Sequence, residues 1–255
     1  MPKLIALDDG HGMNTAGKRT PHIPEIGRAI KENEFNKAVV NFLKQELERN
    51  GFQTLLVAPT DADTPLTTRT NLANSRNADA YIAIHYNAYD GSFSAPNPNG
   101  NEIYVYPGHT NRAAGNLAAS IGKYLRQGTS QNWRGVKEAD FHVLRETQMI
   151  AILSENGFMD NKREALLMIS EDFQKEVAVE HAKGICEYYG VAYQGRQDTG
   201  FTDVPNDLPL ADEINEAREL GIAKGYGDGT FRPNQHMTRA EGAAMALRAY
   251  KKAIE

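Results

Sequence analysis

At 255 residues, with 40% apolar and 24% charged residues, the chain is long enough for one or two domains and has the composition of a globular protein with a buried core. A formal net charge of −5 and the lack of any Lys/Arg run argue against a nucleic-acid binder or a protein held on an anionic membrane, since both use clustered basic surface. The single cysteine, Cys186, excludes an internal disulfide and a cysteine-built zinc site, so any zinc would have to be held by His, Asp or Glu.

No run of 18 apolar residues occurs, so no membrane-spanning helix is expected. The first strand, LIAL, starts at Leu4 and leaves no room for a charged n-region and a long h-region. A chain made in the cytoplasm without a secretory signal is the expectation. That strand runs straight into Asp8, Asp9, Gly10, His11 and Gly12. Residues 15–30 carry no periodic pattern. ENEFNKAVVNFLKQELERNG then reads as an amphipathic helix stopped by Gly51 at its C′ position. Further apolar runs, FQTLLVA, YIAIH, EIYVY and MIAILS, alternate with the helical patterns TNLANSRNAD, NRAAGNLAASIGKYLRQG and REALLMISEDFQKEVAVEHAKGICEYYG. This alternation predicts an α/β fold: a twisted, mostly parallel sheet with helices on both faces. YDGSFSAPNPNGN, residues 89–101, is rich in Gly, Pro, Asn and Ser and reads as a surface loop able to wall a cleft. The expected boundaries are a catalytic unit over 1–192, a polar linker over 193–199, and a small all-α C-terminal module over 200–255. In that module Thr238 is an N-cap with Glu241 as its capping-box partner.

Three apolar runs end in polar residues. His11 follows the first, His85 closes YIAIH, and Glu155 follows MIAILS. In open parallel sheets ligands bind outside the carboxyl ends of the strands, so the three residues are expected at one edge. At about 100° per residue, Phe35, Val39 and Phe42 form the apolar stripe of the first helix and Glu32 heads it. Glu34 points roughly 160° away, toward solvent. A carboxylate on a buried face is costly unless it is paired or bound to a metal. Two histidines and one carboxylate match a catalytic zinc site with a fourth position left for water, and this donor set suits Zn²⁺. Glu155 is then a spare carboxylate, able to take a proton from water and pass it to a leaving amine. The helical HExxH pattern is absent, so a zincin is not expected. His22 and Glu25 are substitute ligands if the register differs. Each residue also has a structural reading: a histidine after a strand can be a turn residue, and Glu32 a first-turn acid favoured by the helix dipole.

DGHG, the ENEFN helix start, IAIHYNA and LSENGFMDN, taken together and in order, resemble the motifs of the zinc-dependent N-acetylmuramoyl-L-alanine amidases of the amidase-3 type. RGVK (134–137), FHVLRET (141–147) and LTTRTNLAN, with Arg69 and Asn74, fit the same pattern, and the likeness runs from residue 3 to about 190. The resemblance implies zinc ligands His11, Glu32 and His85, a catalytic acid Glu155, and cleavage of the amide between the lactyl group of N-acetylmuramic acid and L-alanine in peptidoglycan. Asp9 stands where the family has proline and is expected to add a carboxylate near the metal. Asn87, Arg145 and the 89–101 loop are candidate walls for the stem peptide, with ordinary polar surface as the alternative.

Residues 201–249 resemble an S-layer homology module through FTDV, ELGIAKGYGDGTFRP and TRAE. Such modules bind secondary cell-wall polymers, often as three copies, so a single copy implies self-association or a partner for avidity. Asp203, Arg239 and Glu241 are the implied polymer-binding residues; Asp203 and Glu241 can equally be caps, and Arg239 a surface charge. Pro209 and Gly242 depart from the aromatic residues usual at their positions. The whole resembles a phage endolysin, made in a host cytoplasm and acting on a Gram-positive-type wall, with no nucleic-acid or membrane partner. A bacterial autolysin, a zinc peptidase and an inactive wall-binding protein of the same fold stand as alternatives.

Overall fold

The computed structural model describes residues 2–94, 97–195, 200–205, 208 and 210–254. The chain divides into two compact units, Met1–Gln194 and Gly195–Glu255. Residues 196–199 of the expected linker, and Pro209, lie outside the described residues.

In the first unit β1 (Leu4–Asp8) is followed by α1 (Glu32–Arg49), β2 (Gln53–Leu56), α2 (Leu66–Ser75), β3 (Ala80–Asn87), β4 (Asn101–Val105), α3 (Ala113–Gly128), β5 (Trp133–Glu138), α4 (His142–Arg145), β6 (Ile150–Phe158), α5 (Lys162–Leu167) and α6 (Glu171–Tyr189). The strands form one sheet in the order β2-β1-β3-β6-β4-β5. β2, β1, β3 and β6 run parallel; β4 joins β6 antiparallel and carries β5 parallel to itself. The sheet is therefore mostly parallel, as the strand–helix alternation predicts.

Alternate side chains of a strand point to opposite faces, and the two faces here are unequal. Ile5, Leu7, Ile82, Ile84, Ile103 and Ile152 pack beneath α1, α3 and α6, against Phe35, Leu43, Leu117, Ile121 and Val177. Each such buried side chain stabilises the fold by about 1.5–3 kcal/mol. The other face carries smaller residues, Ala6, Ala83 and Ala151 with Tyr81 and Leu153, covered by Ala73 of α2 and Val143 and Leu144 of α4. This thin cover belongs to the face on which the polar strand ends lie.

Two elements differ from the sequence reading. The helical pattern over 163–190 is two helices, because the Ser170 hydroxyl accepts the Phe173 N–H (3.4 Å) and starts α6 afresh. Strand β5 has no continuous apolar run to announce it. It is an edge strand with Arg134 and Lys137 on it and Gly135 at φ 98°, a composition that suits a sheet edge.

Buried His181 on α6 ties this helix to β6. Its Nδ1–H donates to the Val177 carbonyl (2.7 Å), which leaves Nε2 to accept from the Ser154 hydroxyl (2.9 Å). Burial lowers its pKa to about 4. The unfolded chain binds this proton from about pH 6.5 downward and the folded chain does not. Stability is thus fully present above pH 6.5, falls as pH drops toward 4, and the loss reaches on the order of 3 kcal/mol. Urea titrations followed by the single tryptophan, Trp133, at pH 7.5 and 4.5 should show this component in the wild type and not in His181→Leu. Equal pH slopes in both proteins would sink the assignment.

Candidate active site

The turn after β1 is held by α1. The Asn33 side chain donates to the carbonyls of Asp9 (3.0 Å) and His11. Gly10 has φ 69°, and a Cβ there would sit 2.7 Å from both Asn36 Nδ2 and the His85 ring. Only glycine meets both the backbone conformation and the close approach. A Cβ at Gly12 would likewise meet the Asp63 backbone nitrogen at 2.4 Å. The glycines flanking His11 thus let the turn approach Asn36 and His85 at Gly10 and the 61–63 loop at Gly12.

Glu32, the first residue of α1, is buried on the side facing this turn, as its helix phase predicts. Its Oε1 accepts from His85 Nδ1 (2.9 Å), the Tyr86 N–H (3.2 Å) and Asn36 Nδ2 (3.3 Å). Its Oε2 has no hydrogen-bond partner and lies 3.5 Å from His11 Nε2. One ligand atom from each of His11, Glu32 and His85 lies within 4.8 Å of the others. Burial lowers His11 to about 4, so its imidazole is neutral and its lone pair available. For His85, burial works downward, but the Glu32 hydrogen bond and charge outweigh it and raise the pKa. Glu32 is held ionised by the same contacts, against burial that would raise it.

Parallel pairing of β3 and β6 sets His85 directly beside Glu155. Glu155 is pushed well above the usual carboxylate range, first by burial, and its Oε2 has no hydrogen-bond partner. His11, His85 and Glu155 line one cleft of about 440 Å³. Lys18, Asp63–Leu66 and Phe141–Val143 complete its walls. His22 is exposed and Glu25 pairs with Lys162 at the surface, so neither joins the cluster.

The expected walls do different work. Arg145 pairs with Asp140 and Glu146 at the surface, and Asn87 donates to Glu102. The loop after β3 is anchored by Asp160, whose Oδ2 accepts the N–H groups of Tyr89, Asp90 and Gly91 at 2.6–2.9 Å. None of these is among the described residues that line the cleft. Asp9 also differs from expectation. Its side chain lines a separate small hollow with Lys37, Val40 and Asn41, on the face opposite to Asp8. His142 lines the cleft with a buried Nε2 that has no hydrogen-bond partner; the FHVLRET segment around it resembles the family pattern, but the sequence reading does not single out this histidine.

Residues 5–187 match the N-acetylmuramoyl-L-alanine amidase family, and residues 200–243 match the S-layer homology domain. The chain belongs to the N-acetylmuramoyl-L-alanine amidases. It is 33% identical over 188 residues to the amidase CwlM of Bacillus licheniformis, a match that covers 74% of this chain and 69% of that one. It is 34% identical to the endolysin of Bacillus phage SPP1, over 73% of this chain and 66% of the phage protein. The catalytic domain of the amidase CwlV of Bacillus (Paenibacillus) polymyxa var. colistinus superposes with a TM-score of 0.64 at 31% identity, over 74% of this chain and 99% of that structure. The amidase thus acts on peptidoglycan with a mixed α/β catalytic unit and carries a C-terminal helical part.

In that part α7 (Ala211–Glu219) and α8 (Arg239–Ala253) flank the Gly-rich loop. Asp203 accepts the N–H groups of Phe231 and Arg232, both at 2.7 Å. Glu241 closes the capping box with Thr238 (2.7 Å) and takes the Tyr226 hydroxyl (3.1 Å). Both residues hold the module together, and Arg239 is exposed. A cavity of about 350 Å³ lies between the loop and α8, lined by Tyr226, Arg232, His236, Glu241 and Arg248 among others.

Beneath the active-site turn, Asp8 is buried with Arg69, whose Nη1 donates to Oδ1 (2.6 Å), and with Tyr81, whose hydroxyl donates to Oδ2 (2.5 Å). Asp8 Oδ1 also accepts the Gly10 N–H (2.9 Å). Removing one partner of a buried ion pair costs about 3–5 kcal/mol. Arg69→Met should lose that much in urea unfolding followed by Trp133, and Asp8→Asn added to it should recover part of the loss. A cost under about 1 kcal/mol would show that the pair is dispensable.

Proposed function

We propose that the amidase binds a zinc ion through His11, Glu32 and His85 and uses Glu155 to cut the bond between N-acetylmuramic acid and L-alanine. The observation that carries this reading is the buried Oε2 of Glu32, which has no hydrogen bond and lies beside His11 (3.5 Å), with only the half-exposed Lys18 ammonium within ion-pair reach at 4.0 Å. A buried carboxylate oxygen left unpaired is costly, and a cation satisfies it. The donor set, two nitrogens and one oxygen, is that of catalytic zinc sites. When bound, zinc supplies a Lewis acid for the scissile carbonyl and eases deprotonation of water. Glu155 takes the proton from the attacking water. It then delivers that proton to the L-alanine nitrogen as the C–N bond breaks, so the carboxylate is regenerated. Asn33 and Gly10 hold the turn that presents His11, and Tyr86 N–H and Asn36 fix the Glu32 carboxylate.

The test is metal content and wall digestion of the purified protein, with mass analysis of products. Wild type should hold one zinc and release peptides that begin with L-alanine. Glu155→Gln should keep the zinc and lose about 10²–10⁴-fold in rate. His85→Ala should lose zinc and activity together, as should chelation of the wild type. A fully active Glu155→Gln would remove the acid–base role.

We infer further that the S-layer homology module holds the enzyme on a secondary cell-wall polymer and that the whole acts as an endolysin. The similarity to a phage endolysin and the match to a wall-associated module support this. A bacterial autolysin is the other reading, favoured by the bacterial amidases among the relatives. Expression in a Gram-positive host separates them. An endolysin lyses cells only when a pore-forming protein breaches the membrane, whereas an exported autolysin digests the wall unaided. Purified wall stripped of its secondary polymer should retain less of the protein than intact wall.

A further inference from the structure

A second charged cluster adjoins the active site. Glu102 on β4 pairs across the antiparallel ladder directly with Glu155 on β6, and it is almost wholly buried. Its Oε1 accepts from Asn87 Nδ2 (2.9 Å) and the Tyr104 hydroxyl (2.6 Å). Its Oε2 accepts from Arg134 Nε (2.6 Å) and from Lys137 Nζ. Tyr104 stacks edge-on against Phe141, which lines the cleft (5.3 Å between rings). The cluster is therefore continuous with the cleft floor.

One cation is enough to neutralise Glu102, and here there are two, so the group carries an excess positive charge. Both cations are about one-third exposed, at 32% and 35%. Lys137 spends one of its three donors on Glu102, and Arg134 spends Nε on Glu102 and one Nη1–H on the Asn99 carbonyl (3.4 Å), which leaves Nη2 and the second Nη1–H. The guanidinium is braced over the Phe158 ring (5.0 Å). A buried carboxylate thus fixes two partly exposed cations with donors to spare, an arrangement suited to a second carboxylate arriving from solvent.

We propose that Arg134 and Lys137, held by Glu102, form a subsite for a carboxylate of the stem peptide, one residue beyond the L-alanine whose bond is cut. The proposal rests on the amidase reading above. Strands lie about 4.8 Å apart, so β5 is about 10 Å from Glu155 across β4. An extended residue spans about 3.5 Å, so the second residue's free carboxylate lies roughly 7 Å from the alanine nitrogen, and the two long side chains span the remainder. In peptidoglycan that residue is D-glutamate joined through its γ-carboxyl, which leaves an α-carboxylate that some organisms amidate. Carboxylate and carboxamide differ in charge and little in shape, so the subsite would read charge.

The experiment uses the zinc-loaded full chain and two substrates, N-acetylmuramoyl-L-alanyl-D-isoglutamate and its D-isoglutamine counterpart. Wild type should favour the carboxylate by about tenfold or more in kcat/KM, mainly through KM. Lys137→Met and Arg134→Met should each bring the ratio toward one, with the loss falling on KM for the carboxylate form. Calorimetric binding of the products L-alanyl-D-isoglutamate and L-alanyl-D-isoglutamine gives the same comparison without hydrolysis, so failure of the chemistry and failure of the subsite are told apart. Equal use and equal binding of the two forms by wild type would overturn the proposal. So would variants that weaken both forms alike, since that is the mark of a purely structural role.

Discussion

The carboxylate of Glu32 is the constraint around which the amidase site is arranged. A charged group at 1% exposure has to recover its lost hydration from the protein. It does so asymmetrically, with three donors on Oε1 and none on Oε2. The donors come from β3 and from the next turn of α1, so α1 can sit in only one rotation against the sheet. That rotation brings Asn33 under the β1 turn, and Asn33 in turn fixes where His11 stands. The oxygen without a hydrogen bond lies beside His11 (3.5 Å) and Lys18 (4.0 Å), both of which line the cleft.

The sheet supplies the second half of the geometry. Parallel pairing of β1, β3 and β6 brings three chain segments, far apart in sequence, to a common edge, and the His85–Glu155 register follows from the ladder alone. The unequal faces decide what happens there. Three long helices bury the aliphatic side of the sheet, while alanines and two short helices cover the other. The short cover leaves the cleft open to a polymeric substrate.

Much of this was legible in the sequence because it is periodic. An apolar run that stops at a polar residue marks a strand end, and the phase of α1 puts Glu32 inward and Glu34 outward, where it pairs with Arg28. Asp9, just past the strand end, lines a separate hollow with Leu7 and Lys37 rather than the histidine cleft, which a reading of proximity in sequence overlooks. What stayed hidden depends on partners distant along the chain. β5 has no apolar signature, since its charges and Gly135 fit an edge. Glu102 begins an ordinary strand pattern, and its burial is made tolerable only by Arg134 and Lys137, 32 and 35 residues away. His142 enters the cleft from the first turn of a four-residue helix, which no local pattern predicts.

The open face of the sheet carries three carboxylates, on β1, β6 and β4, and their surroundings separate their roles. Asp8 is neutralised by Arg69, and Glu102 by Arg134 and Lys137. Glu155 lies between these strands with no cation bonded to it and one oxygen unpartnered. Asp8 is engaged by Arg69 and Tyr81, and Glu102 is held below the usual carboxylate range, against its burial, by hydrogen bonds from Lys137, Tyr104 and Arg134. Glu155 has no such counter-ion, so gaining and losing a proton there disturbs no ion pair. That freedom is what an acid–base group requires, and it explains why, of three acids on one face, the proposed proton carrier is the one the protein leaves without a counter-ion.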